Sequence, residues 1–177
     1  SLSPLVQYPK EGVQWSKVFG RAAPLEVEIG FGLGDFLIRT ARERPQHNFL
    51  GLDNSWLSVK KTLRKINQEQ ISNIRVMHVD AKVVFERLIE PRTVSFIYSL
   101  FPCPWPKSRH EKYRLHTSDF LRILNNRLNN DGCVQIVTDE MKYYEWILDQ
   151  SKGTGFSVIK EKINPRFDTK YERKWIR

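Results

Sequence analysis

Short apolar runs alternate along the chain with segments in which apolar residues recur every three or four positions. The runs are rich in Val, Ile, Leu and Phe and favour buried strands, whereas the longer periodic segments favour amphipathic helices. Strands are predicted at 25–29, 48–52, 74–79, 93–100 and 133–138, and the helices that follow them at 35–44, 57–70, 81–89, 120–128 and 142–150. This alternation predicts a parallel α/β sheet with helices on both faces.

The C-terminal part of the chain adds two further apolar runs, at 156–161 and 171–176, which are interpreted as two last strands. Neither an internal repeat nor a Gly/Ser-rich linker interrupts the pattern, so residues 1–177 are predicted to form a single domain. In parallel sheets, ligands bind beyond the carboxyl ends of the strands. The loops that follow the first four strands are therefore the places where a functional site is expected.

The charge balance narrows the class of partner. The chain carries 29 Lys and Arg against 20 Asp and Glu, a net charge of +9. Such an excess favours a polyanionic partner, nucleic acid before a membrane surface, although a merely soluble basic protein has the same balance. No apolar run approaches the length of a membrane span, and no membrane partner is expected.

The two cysteines, Cys103 and Cys133, form no C-x-x-C pair. Neither zinc nor a disulfide framework is expected from them, and a reducing, cytoplasmic compartment fits best. His47, His78 and His116 lack partners at ligand spacing, so no metal site is predicted.

A glycine-rich turn joins the first predicted strand to its helix. It carries Gly30, Gly32 and Gly34, which permit a sharp turn and a close approach of the backbone to a ligand. A dinucleotide fingerprint would need a third glycine at Asp35 or at Leu37, depending on the register, and neither is glycine. Asp35 would also repel a pyrophosphate at the helix N-terminus, so NAD is disfavoured.

Acidic residues surround this turn. Asp53 ends the second strand, where a carboxylate accepts ribose hydroxyls, and Asp80 ends the third, where it meets an adenine amino group. S-adenosylmethionine has no phosphate and is cationic at its sulfonium and amino group, so an acidic loop with Glu28 and Asp35 suits it. The predicted cofactor contacts are Glu28, Gly30, Gly32, Gly34, Asp53, Asp80 and Ala81.

Residues 101–115, hereafter the Pro-Trp-Pro loop, follow the fourth strand. Three prolines stiffen the loop. Four cations, Lys107, Arg109, Lys112 and Arg114, alternate with the rings of Trp105, His110 and Tyr113. Phosphate contacts and base stacking require this combination, which predicts an RNA-gripping surface, whereas the plainer alternative is a solvated basic loop.

The Pro-Trp-Pro loop resembles the signature P-D-P-W-[PH]-K-x-R-H-x-K-x-R of the bacterial tRNA (guanine-N7-)-methyltransferase family, and it departs from that signature at Cys103. Nearly the whole chain takes part in the resemblance, through the motifs at 28–32, 49–53, 73–76, 80–81, 138–139 and 169–172. The resemblance implies a Rossmann-like class I methyltransferase fold with a mostly parallel seven-stranded sheet and an antiparallel last strand. It also implies that S-adenosylmethionine methylates N7 of the variable-loop guanine at position 46 of tRNA.

Site roles follow from the resemblance residue by residue. The cofactor contacts are those already named, and the predicted substrate contacts are Lys107, Arg109, Lys112, Arg114, Asp139, Thr169, Lys170, Tyr171 and Glu172. Two of these segments have simpler interpretations: residues 138–139 would serve as a helix cap, and residues 169–172 as an edge strand. The oligomeric state, monomer or homodimer, stays open.

Cys103 occupies the position of an Asp that is regarded as catalytic in the family. Guanine N7 carries a lone pair and no proton, so methyl transfer needs alignment and electrostatic support but no general base. Two alternatives remain. Pro102-Cys103 at the end of a fourth strand is also the position of the nucleophile in cytosine-C5 methyltransferases, and a chain without the Asp would also serve as a catalytically silent tRNA-binding protein.

Overall fold

The computed structural model describes residues 3–6 and 13–162 of the chain. Its five strands form one sheet in the order β3-β2-β1-β4-β5, with every neighbouring pair parallel. The strands are β1 (Leu25–Ile29), β2 (Asn48–Asp53), β3 (Ile74–His78), β4 (Val94–Leu100) and β5 (Leu128–Val137). The predicted α/β class with a parallel sheet is confirmed.

Helices cover both faces of this sheet. They are α1 (Trp15–Phe19), α2 (Asp35–Glu43), α3 (Trp56–Gln68), α4 (Ala81–Arg87), α5 (Ser118–Arg127) and α6 (Met141–Gln150), with a 3₁₀ helix at Ser108–Tyr113. Apolar residues of α2 and α3 share one core cluster, and those of α1, α4 and α5 share another. Along β2 the side chains alternate between the two clusters, Phe49 in the first and Leu50 and Leu52 in the second, as the pleat requires.

The strand order places the functional edge. β1 lies at the centre, with β2 on one side and β4 on the other. From β1 to β3 the strands are added on one side of β1, and from β4 onward they are added on the other side. At such a switch point, open α/β sheets form a crevice at the carboxyl ends of their strands. The glycine turn after β1, Asp53 at the end of β2 and the Pro-Trp-Pro loop after β4 all lie at this edge.

The prediction of seven strands is not confirmed. The segment 156–161 has no strand structure, and its residues from 157 onward are exposed, because no strand among the described residues lies beside it. The predicted antiparallel last strand at 171–176 lies outside the described residues. Val158 and Ile159 are therefore exposed, although an apolar run predicts burial on a sheet face.

β5 begins earlier than expected. Residues 129–132, Asn-Asn-Asp-Gly, read as the turn that ends α5, yet they lie inside the strand. The register explains this, since Val94 pairs with Leu128 and Phe96 with Cys133, so that β5 carries extra residues as a bulge. Among the described residues, no helix combines the length and the apolar composition that crossing a membrane needs.

Candidate functional site

The turn after β1 leaves open space above its first two glycines. Gly30, Gly32 and Gly34 all have positive φ, at 74°, 55° and 74°. A Cβ placed on Gly30 or Gly32 would meet no atom within 4 Å, whereas one on Gly34 would lie 2.5 Å from Thr62 Cγ2. The first two glycines therefore expose backbone toward a ligand, and the third lets α3 pack closely against the turn.

Asp53 fixes the shape of this turn from the end of β2. Its carboxylate is buried and accepts hydrogen bonds from the Gly32 N–H at 2.9 Å and from the Ser55 N–H at 2.7 Å, one on each oxygen. A carboxylate has about four lone-pair directions. Two are thus committed to the backbone, and the others remain for a ligand that carries neighbouring hydroxyls.

Two glutamates on the same face of β1 differ in how they are satisfied. The buried carboxylate of Glu26 is paired with Arg44 Nη1 at 2.8 Å, His47 Nδ1 at 2.5 Å and the Tyr98 hydroxyl at 2.8 Å. Glu28 is only 4% exposed, yet its Oε2 has no hydrogen-bond partner among the described residues. A buried polar atom without a partner is costly, so Glu28 is fitted to a donor that arrives with a ligand.

Electrostatics supports the same assignment. Burial, the nearby Asp53 and the nearby Asp35 together raise the pKa of Glu28 to about 8. Lys65 compensates Asp35, because its Nζ lies 2.5 Å from Asp35 Oδ1 and also donates to the Leu33 carbonyl at 2.8 Å. With Asp35 paired to Lys65, the Asp53 carboxylate is the main negative charge beside Glu28, and it favours a cationic ligand over an anionic one. Lys65 is a residue that sequence reasoning missed, since nothing distinguishes it from its neighbours on a Lys-rich helix.

Cationic ligand binding is expected to release a proton from Glu28. With a pKa of about 8, the free carboxyl is about nine-tenths protonated at pH 7, and a cation beside it favours the ionised form. Calorimetry of S-adenosylmethionine binding at pH 7, in buffers of different ionisation enthalpy, should therefore detect release of up to about 0.9 proton. Without ligand, the contribution of Glu28 to the free energy of unfolding is most favourable below pH 4.5. It is lost as the pH rises to about 8, because the unfolded chain ionises Glu28 in this range while the folded chain keeps it protonated.

A Glu28→Gln variant should show no such release, while the exposed-residue control Glu43→Gln should behave like the parent chain. Binding without proton release in the parent chain at pH 7 would remove Glu28 from the ligand site.

Asp80, directly after β3, caps the next helix and is also exposed at the carboxyl edge of the sheet. Its Oδ1 accepts from the Lys82 N–H at 2.8 Å and caps α4, whose first residue, Ala81, is buried. The side chain is otherwise exposed, and the Val79 N–H donates to the Asp53 carbonyl at 3.0 Å, so the ends of β2 and β3 lie side by side. The structure thus brings Asp80 to the same edge as Asp53.

The Pro-Trp-Pro loop presents three of its four cations to solvent. Lys107, Arg109 and Lys112 are exposed, and Lys112 Nζ lies 5.2 Å from the centre of the Tyr113 ring. The rings of Trp105, His110 and Tyr113 contact one another, with centroids 5.4–6.0 Å apart. Cations and aromatic faces are therefore combined on one surface at the carboxyl edge.

The fourth cation, Arg114, is buried, although its place in the loop had predicted a phosphate contact. It is 5% exposed, and its guanidinium donates to the carbonyls of Pro104 at 2.9 Å and Trp105 at 3.3 Å. It also stacks on the rings of Trp146 and Tyr143 in α6, at 5.0 and 5.6 Å. Arg114 is thus a residue that holds the loop in shape, and a direct phosphate contact is the wrong role for it.

Arg114→Lys is expected to lower the free energy of unfolding by about 1–3 kcal/mol, because an ammonium cannot reproduce the planar fork that binds two carbonyls and stacks on two rings. Urea unfolding measures this effect. Arg109→Lys, an exposed change in the same loop, should stay within about 0.5 kcal/mol of the parent chain. Equal stability of the two variants would show that Arg114 does not hold the loop.

Cys103 lies exposed within the loop and forms no disulfide.

Behind the loop, the buried Tyr143 hydroxyl lies 3.0 Å from His116 Nδ1, and burial, the largest influence, raises the pKa of Tyr143 to about 12. Burial also lowers the pKa of His116 to about 3, so this imidazole stays neutral. Neither group is placed to serve as a titrating base near pH 7.

The remaining predicted substrate contacts are only partly described. Asp139 is exposed and follows β5 at the same edge of the sheet, while the neighbouring Thr138 Oγ1 accepts from the Glu140 N–H at 3.2 Å. Thr169, Lys170, Tyr171 and Glu172 lie outside the described residues.

Comparisons with known proteins bear on this geometry. A family model described as "Putative methyltransferase" matches residues 22–177. A tRNA (guanine-N(7)-)-methyltransferase of Chlorobium phaeobacteroides is 43% identical, covering 88% of this chain and 76% of that protein. Its counterpart in Thermotoga maritima is 39% identical, covering 95% of this chain and 55% of that protein, so the chain spans little more than half of this longer relative.

Solved structures show the fold. The 16S rRNA methyltransferase KamB superposes with a TM-score of 0.69 at 14% identity, covering 94% of this chain and 88% of that one. A SAM-dependent methyltransferase of Aquifex aeolicus gives 0.54 at 17% identity, covering 78% and 77%. With a Rossmann-like methyltransferase architecture, an acidic glycine turn and relatives of this similarity, the chain belongs to the tRNA (guanine-N(7)-)-methyltransferase family.

Proposed function

We propose that this chain transfers the methyl group of S-adenosylmethionine to N7 of the variable-loop guanine at position 46 of tRNA. One observation carries the proposal: at the end of β1, beside an acidic glycine turn, lies a buried carboxyl with an unpartnered oxygen, Glu28 Oε2, at the same sheet edge as a loop of exposed cations and aromatic rings. Relatives named for this reaction support it.

The cofactor supplies an electrophilic methyl group on its sulfonium. Asp53, with two lone-pair directions left, would accept from the ribose hydroxyls. Asp80 would accept from the adenine amino group, and Glu28 would pair with the cationic amino group. The open space above Gly30 and Gly32 accommodates a ligand against the backbone. Each of these groups satisfies a donor that water would otherwise have to satisfy.

The tRNA backbone would lie along Lys107, Arg109 and Lys112, whose exposed charges suit phosphates. Trp105 and Tyr113 offer faces on which unpaired bases stack. We assign Asp139 and Glu172 to the guanine, as acceptors for its N1–H and exocyclic amine. Adenine lacks that pair of donors, so the same contacts would select guanine.

The chemistry asks little of acid–base groups. Guanine N7 attacks with its own lone pair, so the chain aligns the base with the methyl group and stabilises the positive charge that moves onto the base. The neutral state of His116 agrees with the absence of a general base. Because Cys103 replaces the family's Asp, the negative charge beside the base would come from Asp139 and Glu172.

A second candidate reaction is cytosine-C5 methylation with Cys103 as nucleophile. The observation that favours it is the exposure of this thiol in the loop directly after β4. The cation pattern of the loop, which matches the guanine-N7 signature, ranks this reaction below the first.

One further expectation belongs to the same proposal. The two free, exposed thiols suit a reducing, cytoplasmic compartment.

Two tRNA transcripts test the position of the methyl group. A transcript with guanine at position 46 should accept one methyl group per molecule, and the same transcript with adenine there should accept none. Equal incorporation into both would refute the assignment of position 46.

A further inference from the structure

Helix α3 presents an outward face that the cofactor and loop contacts do not use. Its inward residues, Val59, Thr62 and Ile66, are buried, and its outward ones are exposed. Among the outward residues, Trp56 is 48% and Leu57 is 62% exposed, so two large apolar side chains lie side by side on the surface. The outward face as a whole comprises Trp56, Leu57, Lys60, Lys61 and Arg64.

This face carries uncompensated positive charge. The helix contains no Asp or Glu. Lys65, on its flank, is committed to Asp35 and the Leu33 carbonyl. Lys60, Lys61 and Arg64, in contrast, form no ion pair or side-chain hydrogen bond within the described residues. Three unpaired cations on one helix face are suited to a polyanion.

The face also begins at the functional edge of the sheet. Trp56 follows Asp53 by three residues, and its ring lies 5.5 Å from that of His78 at the end of β3. Trp56, Lys60 and Arg64 stand at intervals of four, so Lys60 lies about 6 Å and Arg64 about 12 Å from Trp56 along the helix axis. They therefore form one stripe that leads away from the cofactor turn.

The Pro-Trp-Pro loop lies on the other side of that turn. It follows β4, and α3 follows β2, with β1 between the two strands. At the spacing of neighbouring strands, β2 and β4 are about 10 Å apart. A polyanion held by the loop and passing over the cofactor would therefore arrive at Trp56.

We propose that the outward face of α3 is a second RNA-contact surface, with Lys60, Lys61 and Arg64 on phosphates and Trp56 stacked on a base. The inference rests on the proposed tRNA substrate and extends its footprint to the β2 side of the cofactor. Phosphates supply the charge that the stripe lacks, and base stacking uses an aromatic face of any sequence.

Three double variants test the surface, each removing two exposed positive charges. The α3 variant is Lys60→Ala/Arg64→Ala, and the loop variant is Lys107→Ala/Lys112→Ala. The matched control is Lys17→Ala/Arg87→Ala, on helices that pack against the opposite face of the sheet. Alanine is the most favourable helix residue, so α3 should fold normally in its variant. Calorimetry should show the parent chain's affinity for S-adenosylmethionine.

The readout is the salt dependence of affinity for an unmodified tRNA transcript. The slope of log affinity against log salt is negative, and the α3 variant and the loop variant are each expected to reduce its magnitude by about 1.4–1.8, the control variant by much less. An α3 variant that matches the control, beside a loop variant that loses slope, overturns the α3 surface and leaves the tRNA function intact. A parent chain whose tRNA affinity does not depend on salt overturns the proposed function itself.

Discussion

Asp53→Ala is expected to weaken S-adenosylmethionine binding by roughly 1–3 kcal/mol, or about 5- to 150-fold. The variant loses the acceptor for the ribose hydroxyls and, at the same time, the acceptor that fixes the Gly32 N–H at 2.9 Å and the Ser55 N–H at 2.7 Å. The turn that shapes the cofactor site and the contact to the cofactor are thus lost together. Isothermal calorimetry measures the affinity directly.

Asp119→Ala provides a control for the loss of a carboxylate, because Asp119 is exposed on α5 and pairs only locally with Arg122. It should bind S-adenosylmethionine like the parent chain. Thermal unfolding without cofactor should show that Asp53→Ala is still folded. A folded Asp53→Ala protein with unchanged affinity would exclude Asp53 from the cofactor site.

Cys103→Ser is expected to leave guanine-N7 methylation within about tenfold of the parent rate, which is no more than roughly 1.4 kcal/mol in the barrier. The base itself is the nucleophile, so the thiol forms no bond. Cys103→Asp is expected to raise the rate, by about tenfold or more, because it restores negative charge beside the developing guanine cation. Initial rates with saturating cofactor and tRNA measure both variants.

The cytosine-C5 reaction predicts the opposite behaviour at this position. There the Cys103 thiolate adds to the ring, so Cys103→Ser would abolish turnover. RNA containing 5-fluorocytosine would then trap an adduct that survives a denaturing gel. An adduct that forms with the parent chain and is absent with Cys103→Ser would show that the reaction is cytosine-C5 methylation and not guanine-N7 methylation.

Much of the fold could be predicted because its strands are buried on both faces. β1 to β4 are apolar runs, and their predicted bounds differ from the observed ones by no more than one residue at either end. Two short helices, α1 and the 3₁₀ helix at Ser108–Tyr113, escaped prediction because five or six residues do not establish a helical period. The β5 bulge escaped because Asn-Asn-Asp-Gly is also the composition of a turn.

The site residues also differ in how far the sequence predicts them. The positions of Asp53, Asp80 and the glycines could be predicted from the strand ends, which are local features of the sequence. The role of Arg114 could not, because its burial depends on Tyr143 and Trp146 of a helix that is distant in sequence. A count of cations in a loop cannot separate the one that holds the loop from those that face the ligand.

Nucleoside analysis of a tRNA transcript after incubation with this chain and S-adenosylmethionine tests the proposed function most directly. We expect N7-methylguanosine as the methylated product, approaching one per tRNA. Formation of 5-methylcytidine instead, or no methylated nucleoside at all from a chain that binds both cofactor and tRNA, would contradict it.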